Sequence, residues 1–169
     1  MANFKYDVEL FLTDIEKIFK ANLNNCIDAI NLEKQTITPE ANDNFNIAHI
    51  NDKAWYFEHI PSVWSYPQFI VWGIDDIQVL NAQPDGASQK VTVFIEVGIP
   101  DDGSIINQSF IYKLLRYSRA LQDIALKNFD GIRGYGTVQV ETLSPALVSI
   151  SDKKLRISGL NVSAKFGLR

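Results

Sequence analysis

Apolar and polar residues alternate through the centre of the chain, and a helical pattern follows almost at once. The strand reads KVTVFIEVGIP, and every second position in it is apolar, as in a strand with one buried face. Beyond a turn at residues 100–103, apolar residues at three- and four-residue spacing predict a helix over residues 107–129. We expect the core to include Val93, Ile95, Val97, Leu114, Leu121 and Ile124. A helix therefore packs on a sheet.

An amphipathic helix is predicted near the start of the chain, over residues 4–31. Its apolar stripe extends from Phe4 to Ile30, and charged residues occupy the other face. Residues 33–52 have turn signals and little periodicity, and they predict a long loop. Because such a loop is uncommon in a compact domain without a role, we expect it to contact a partner.

The other strands follow from short period-two patterns and turn residues. We predict them over residues 54–60, 68–80, 90–99, 137–150 and 154–168. In the last one the apolar phase reverses at Gly159, which predicts a β-bulge there. The expected fold is a single α+β domain over residues 1–169, with a mixed, mainly antiparallel sheet packed with two main helices.

Composition argues against several classes of protein, among them nucleic-acid binders and membrane proteins. The 169 residues are 46% hydrophobic and 21% charged, with a net charge of −4, which does not favour a dedicated nucleic-acid binder. No stretch resembles a signal peptide or a membrane span, so we expect folding in a cytoplasm without membrane attachment. Cys26 is the only cysteine, and its place on the apolar stripe predicts a buried, unreactive thiol.

Candidate catalytic residues do not form a recognisable set. His49, His59 and Asp52 lack metal-ligand spacing, and we interpret the histidines as solvated or satisfied. Paired carboxylates at 75–76 and 101–102 are interpreted as turn residues. Glycines at 131–136 precede a strand, whereas phosphate-binding loops follow one. We therefore expect no enzyme activity, no metal and no cofactor.

The segment 55–72 is the best candidate for a binding surface. It is rich in large aromatic residues interrupted by prolines, a composition enriched at protein interfaces. The alternative is that these rings fill the core, and we expect Phe69 and Trp72 inside. The candidate contact residues are Trp55, Tyr56, Trp64 and Tyr66.

The order of these elements resembles the tail-completion and tail-terminator proteins of tailed bacteriophages. The similar pieces are the strand PQFIVWG at 67–73, the alternating strand at 91–99, the helix at 111–124 with its ALQ stretch, and the closing strand at 155–168. The loop at 33–52 and the segment around Trp64 depart from that layout. The resemblance covers about residues 60–169, and the first helix only generically.

This resemblance implies a structural protein of the virion, located in the tail or neck and assembled in the host cytoplasm. Such proteins form a ring, commonly a hexamer, that ends the tail tube and joins it to the head. The expected partners are further copies of the chain, tail-tube protein and head–tail connector protein, while DNA passes through without specific binding. The alternatives are a head-completion adaptor bound to the portal and a non-viral oligomeric binding module.

Overall fold

Two helices and five strands make up the part of the chain that the structure describes. The computed structural model describes residues 8–37, 46–60, 65–83, 86–101, 108–128, 137–150 and 153–168. The elements in chain order are α1 (Val8–Ile37), β1 (Trp55–Phe57), β2 (Phe69–Gln83), β3 (Gly86–Asp101), α2 (Gln108–Lys127), β4 (Thr137–Ile150) and β5 (Lys153–Leu168).

The strands form one mixed sheet in the order β1-β2-β3-β5-β4. β1 lies parallel to β2, and the other neighbours are antiparallel. The fold is therefore α+β with a mainly antiparallel sheet, as predicted. Paired residues continue from strand to strand and form rows that cross the sheet. A residue of β2 and a residue of β4 can therefore belong to the same row and lie on the same face of the sheet.

The helices cover one face of the sheet, which we call the helix face. α2 packs on β5, β4 and β3, and α1 packs against α2. The alternation in β3 sends four branched side chains to this face, where they meet the apolar side chains of β5. The predicted core residues Val93, Ile95, Val97, Leu114, Leu121 and Ile124 are all buried, as are Phe69 and Trp72.

The first helix continues further than predicted, so the predicted loop at 33–52 is wrong over its first five residues. Residues 33–37 belong to α1. Leu32, Glu33 and Lys34 have high helix propensity, and the Arg119 guanidinium of α2 donates two hydrogen bonds to the Glu33 carboxylate, at 3.0 and 2.8 Å. Residues 46–52 contain no helix or strand, and the rest of the predicted loop, 38–45, lies outside the described residues.

The predicted bulge at Gly159 is also wrong. β5 pairs with β3 in an unbroken register through Gly159, and the register shift lies in β4, between Leu143 and Ala146. The apolar phase reverses because the buried face changes. Near its start β5 buries Leu155 on the far face of the sheet, where Leu155 and Phe69 both lie above Gly98, and from Leu160 onwards it buries the helix face.

Two boundaries differ from prediction for local reasons. β2 is one strand from Phe69 to Gln83, and the carboxylate pair at 75–76 lies within it, at a register shift between Ile74 and Asp76. β1 spans only Trp55–Phe57 because Glu58 has a positive φ of 59°, a value that ends an extended strand.

Candidate protein-contact surface

The short strand β1 ends in a polar cap on the neighbouring strand. The Glu58 backbone N–H donates to the Trp72 carbonyl oxygen at 2.9 Å. Its carboxylate then accepts a hydrogen bond from the Ile74 backbone N–H at 2.6 Å. The space above Gly73 makes this possible, since a Cβ there would lie 2.7 Å from the Glu58 carboxylate oxygen. Glu58 therefore satisfies one outward N–H of β2 at the place where β1 stops.

An aromatic groove lies between α1 and this end of β1. It has a volume of about 360 Å³ and is open to the surface. Its lining residues are Glu9, Leu12, Thr13, Glu16, Trp55, Phe57 and Trp72. We call this site the aromatic groove.

Contacts between aromatic rings, and between the Lys20 ammonium and a ring, hold the side chains that line the aromatic groove. The Phe57 and Trp72 rings meet edge to face with centroids 4.8 Å apart. The Lys20 ammonium lies 5.5 Å from the Trp55 ring centroid and pairs with the Glu16 carboxylate. Phe57 is nonetheless 44% exposed. An aromatic side chain held rigidly and left exposed can bury much area on a partner at low entropic cost.

Beyond β1, the outer edge of β2 carries exposed apolar side chains. Ile77 is 44% exposed and Val79 is 67% exposed. Within the described ranges no strand pairs with this edge past Trp72, so alternate residues there direct their backbone N–H and C=O groups outward. Such an edge can accept a strand from another chain.

The four predicted contact residues do not form one surface. Trp55 lines the aromatic groove, whereas Tyr56 points to the opposite face of the sheet and packs on Phe69, with ring centroids 5.6 Å apart. Tyr66 is half-buried against the core. Trp64 lies outside the described residues.

Three exposed apolar residues of this surface are not among the predicted contact residues. Phe57 lies in the candidate segment 55–72 but is not among the four candidate contact residues, and Ile77 and Val79 are predicted only as strand residues. The signal that could have identified the last two is the pair Asp75–Asp76, which marks an irregular strand, followed by apolar residues at 77 and 79. Nothing in the sequence indicated that β1 would stop after Phe57, because that depends on the φ of Glu58.

Carboxylates gather on the face of the sheet away from the helices. Burial raises the pKa of the Glu96 carboxyl, and the charge of Asp75 raises it further. The Asn161 amide donates to the Asp75 carboxylate at 3.4 Å, on the adjoining part of that face. A hydroxyl pair at 2.9 Å, Thr92 with Ser163, is buried beside them.

The other candidate groups have structural partners. The His49 ring hydrogen-bonds the Asp28 carboxylate at 2.7 Å, and the His59 ring lies 2.9 Å from the Phe57 carbonyl oxygen. Cys26 is buried, as predicted, and burial raises the pKa of its thiol. Within the described ranges there is no group of three or more histidine, cysteine or acidic residues that could hold a metal ion.

Neither helix, as far as it is described, is long and apolar enough to cross a membrane.

Comparison with known proteins gives no family assignment. The sequence matches no model of a known protein family and no curated protein.

Proposed function

We propose that this chain is a non-enzymatic structural subunit of a phage virion, which forms a ring at the end of the tail tube and joins the tube to the head. The ring size taken from the resemblance is six, and we expect the ring to close on the tube end. The sequence layout at 67–73, 91–99 and 155–168 supports the phage role. One structural observation supports the ring itself, and it concerns the two edges of the sheet.

Over the described residues the two edges of the sheet are open and unlike. One is the outer edge of β2, with Ile77 and Val79 exposed, and the other is β4, with Leu147 48% exposed. A contact between unlike surfaces of identical subunits is heterologous, and repetition of such a contact produces a closed ring when the rotation allows it. An isologous dimer would instead use one edge twice.

The aromatic groove supplies a second, separate contact. It lies beside β1, apart from the open stretch of β2, so it can remain available when neighbouring subunits occupy the edges. We assign it to the tail-tube protein, with Phe57 as the anchor, because aromatic residues are enriched where protein interfaces are fully buried.

Growing tail tubes test this proposal directly. Tube length is measured by electron microscopy with and without the purified protein. We expect capped tubes of limited length with the native protein and uncapped, longer tubes with a Trp55→Ala/Phe57→Ala variant. Leu32→Ala, at an exposed residue of α1 away from the groove, is the matched control and should cap normally.

Two results would contradict the assignment. Tubes of unchanged length with no bound cap would exclude the terminator role. Binding to a portal ring in place of the tube would establish the head-completion adaptor.

A further inference from the structure

We propose that the sheet continues from one subunit to the next, with the outer edge of β2 pairing antiparallel with the first half of β4 of a second copy. This inference rests on the proposed ring and identifies its intersubunit contact. The pairing segments are residues 76–78 of β2 and residues 137–139 of β4, which share rows of partners across the sheet.

Strand direction and height agree with this pairing. β2 is antiparallel to β3, β3 to β5, and β5 to β4, so β4 runs opposite to β2. When the sheet continues without inversion, β4 of one copy therefore meets β2 of the next in antiparallel orientation. One row of partners joins Ile77, Val91, Ala164 and Val138, which places the open stretch of β2 at the height of the first half of β4.

Features within β4 restrict the pairing to its first half. The register shift between Leu143 and Ala146 interrupts the strand, and Pro145 lacks the N–H that a further ladder would need. On β2, the Ile74 N–H already donates a hydrogen bond to the Glu58 carboxylate and is not available to a new strand. The regular stretches left on the two edges share three rows of partners, those of residues 76–78 on β2 and residues 137–139 on β4.

Exposed apolar side chains also match across the two edges. The Gln122 amide of α2 donates to the Thr142 hydroxyl of β4 at 2.9 Å, which places this side of α2 beside the β4 edge. Leu126 lies one turn further on the same side and is 66% exposed. Ile77 is in the row of Val91 and hence on the helix face, so in the extended sheet Ile77 and Val79 of the second copy face Leu126.

Charges on the far face are complementary. Asp75 and Asp76 lie on the β2 edge, and the row of Asp76 reaches Gln139 of β4 through Thr92 and Ser163. Lys165 is exposed on β5, next to the start of β4. In the extended sheet β4 lies between Lys165 and the acidic edge of the neighbour, so the opposite charges attract each other across one strand and favour this orientation.

Disulfide trapping tests the register. In a Cys26→Ala background, the pair Asp76→Cys/Gln139→Cys joins residues of one row and should give a ladder of linked subunits on oxidation at tube ends. The matched control Asp76→Cys/Ser149→Cys places its second thiol at the other end of β4, and it should give no ladder. Asp76→Cys alone should give no dimer, because a dimer would indicate a β2–β2 contact.

Charge reversal tests the contact without cysteine. Asp76→Lys or Lys165→Asp alone should raise the protein concentration needed for half-maximal ring formation about two- to threefold. The double variant should restore much of that loss. Equal assembly by all four proteins would overturn the inference.

The outcomes separate this contact from the function. Capped tubes without a ladder would refute the sheet extension and leave the proposed function standing. A ladder in rings that never cap a tube would support the extension and refute the terminator role, and neither caps nor ladder would refute both.

Discussion

The central strands and the short edge strand are held in register by different kinds of contact. β3 and β5 pair without interruption from Ala87 to Asp101, and their helix-facing side chains form buried apolar rows. β1 pairs with β2 over three residues only, and Glu58 ends it with hydrogen bonds to backbone groups. Burial specifies the centre, because a one-residue slip would turn the helix-facing apolar side chains of β3 away from the helices. The edge depends on a few polar contacts, and past Trp72 no strand within the described residues pairs with it.

The largest effect is expected where α2 covers the central strands. Leu121 is fully buried, so Leu121→Ala should lower the free energy of unfolding by about 2–5 kcal/mol. Urea unfolding followed by circular dichroism measures this change. Leu126→Ala on the exposed side of α2 is the control and should change stability by less than about 0.5 kcal/mol. Equal losses in the two variants would mean that the helix faces are wrongly assigned.

Two glycines provide the next comparison, one in each region. A Cβ at Gly159 would lie 2.0 Å from the Ile95 carbonyl oxygen, whereas a Cβ at Gly73 would meet the end of the Glu58 side chain at 2.7 Å. The Ile95 backbone in the centre of the sheet cannot easily move away from a new methyl group, whereas the flexible Glu58 side chain can. Gly159→Ala should therefore cost about 1–3 kcal/mol in urea unfolding, and Gly73→Ala less.

A double-mutant cycle sharpens the second half of this prediction. If displacement of the Glu58 carboxylate causes the loss in Gly73→Ala, that loss should shrink in a Glu58→Ala background. An undiminished loss would indicate that the obstacle is the Phe94 ring, which lies 3.1 Å from the position that the new methyl group would occupy.

The sequence predicted the centre better than the edge for the same physical reason. The alternating residues of β3 identify a buried strand, because the apolar period reports burial directly. The phase reversal at Gly159 was visible too, but a sequence cannot distinguish a slipped register from a change of buried face. That distinction depends on another strand, because Phe69 of β2 lies over Gly98 on the far face, beside Leu155.

The candidate site was predicted only in part. Trp55 was identified from aromatic composition, whereas the exposure of Phe57 follows from the φ of Glu58 and from the distance between α1 and β1. The apolar stripe predicted helix α1 up to residue 31, with residues 4–7 of that prediction outside the described residues, but its last turns depend on the ion pair of Glu33 with Arg119. Contacts between residues far apart in sequence leave no periodic signal.

The polar cap at the edge predicts a smaller, local effect. Glu58→Ala leaves the Ile74 N–H without its carboxylate acceptor and should cost about 0.5–1.5 kcal/mol. Amide hydrogen exchange at Ile74 should accelerate, while exchange at Val93 in the central strand should not. Glu58→Gln keeps an oxygen acceptor and serves as the control. Faster exchange at both positions would show that the edge and centre unfold together.

The smallest effect concerns a carboxyl on the far face of the central strands. Glu96 lies on β3, and burial followed by the charge of Asp75 raises its pKa. In the pH range between the ordinary pKa of a glutamate and this raised value, the folded protein binds more protons than the unfolded chain. Stability contributed by this group therefore falls as pH rises through that range, and the loss persists above it.

Replacement of Glu96 by glutamine should remove this pH dependence. Glu96→Gln should match the native protein in stability below the range and exceed it slightly at neutral pH, as measured by urea unfolding at several pH values. Asp75→Asn should reduce the difference, because it removes the second cause of the shift. Glu141→Gln changes an exposed carboxylate on the same face and should have less effect. If Glu96→Gln instead destabilises the protein at neutral pH, the carboxylate of Glu96 accepts hydrogen bonds that outweigh its burial, and the far face of the central strands is held by polar contacts as the edge is.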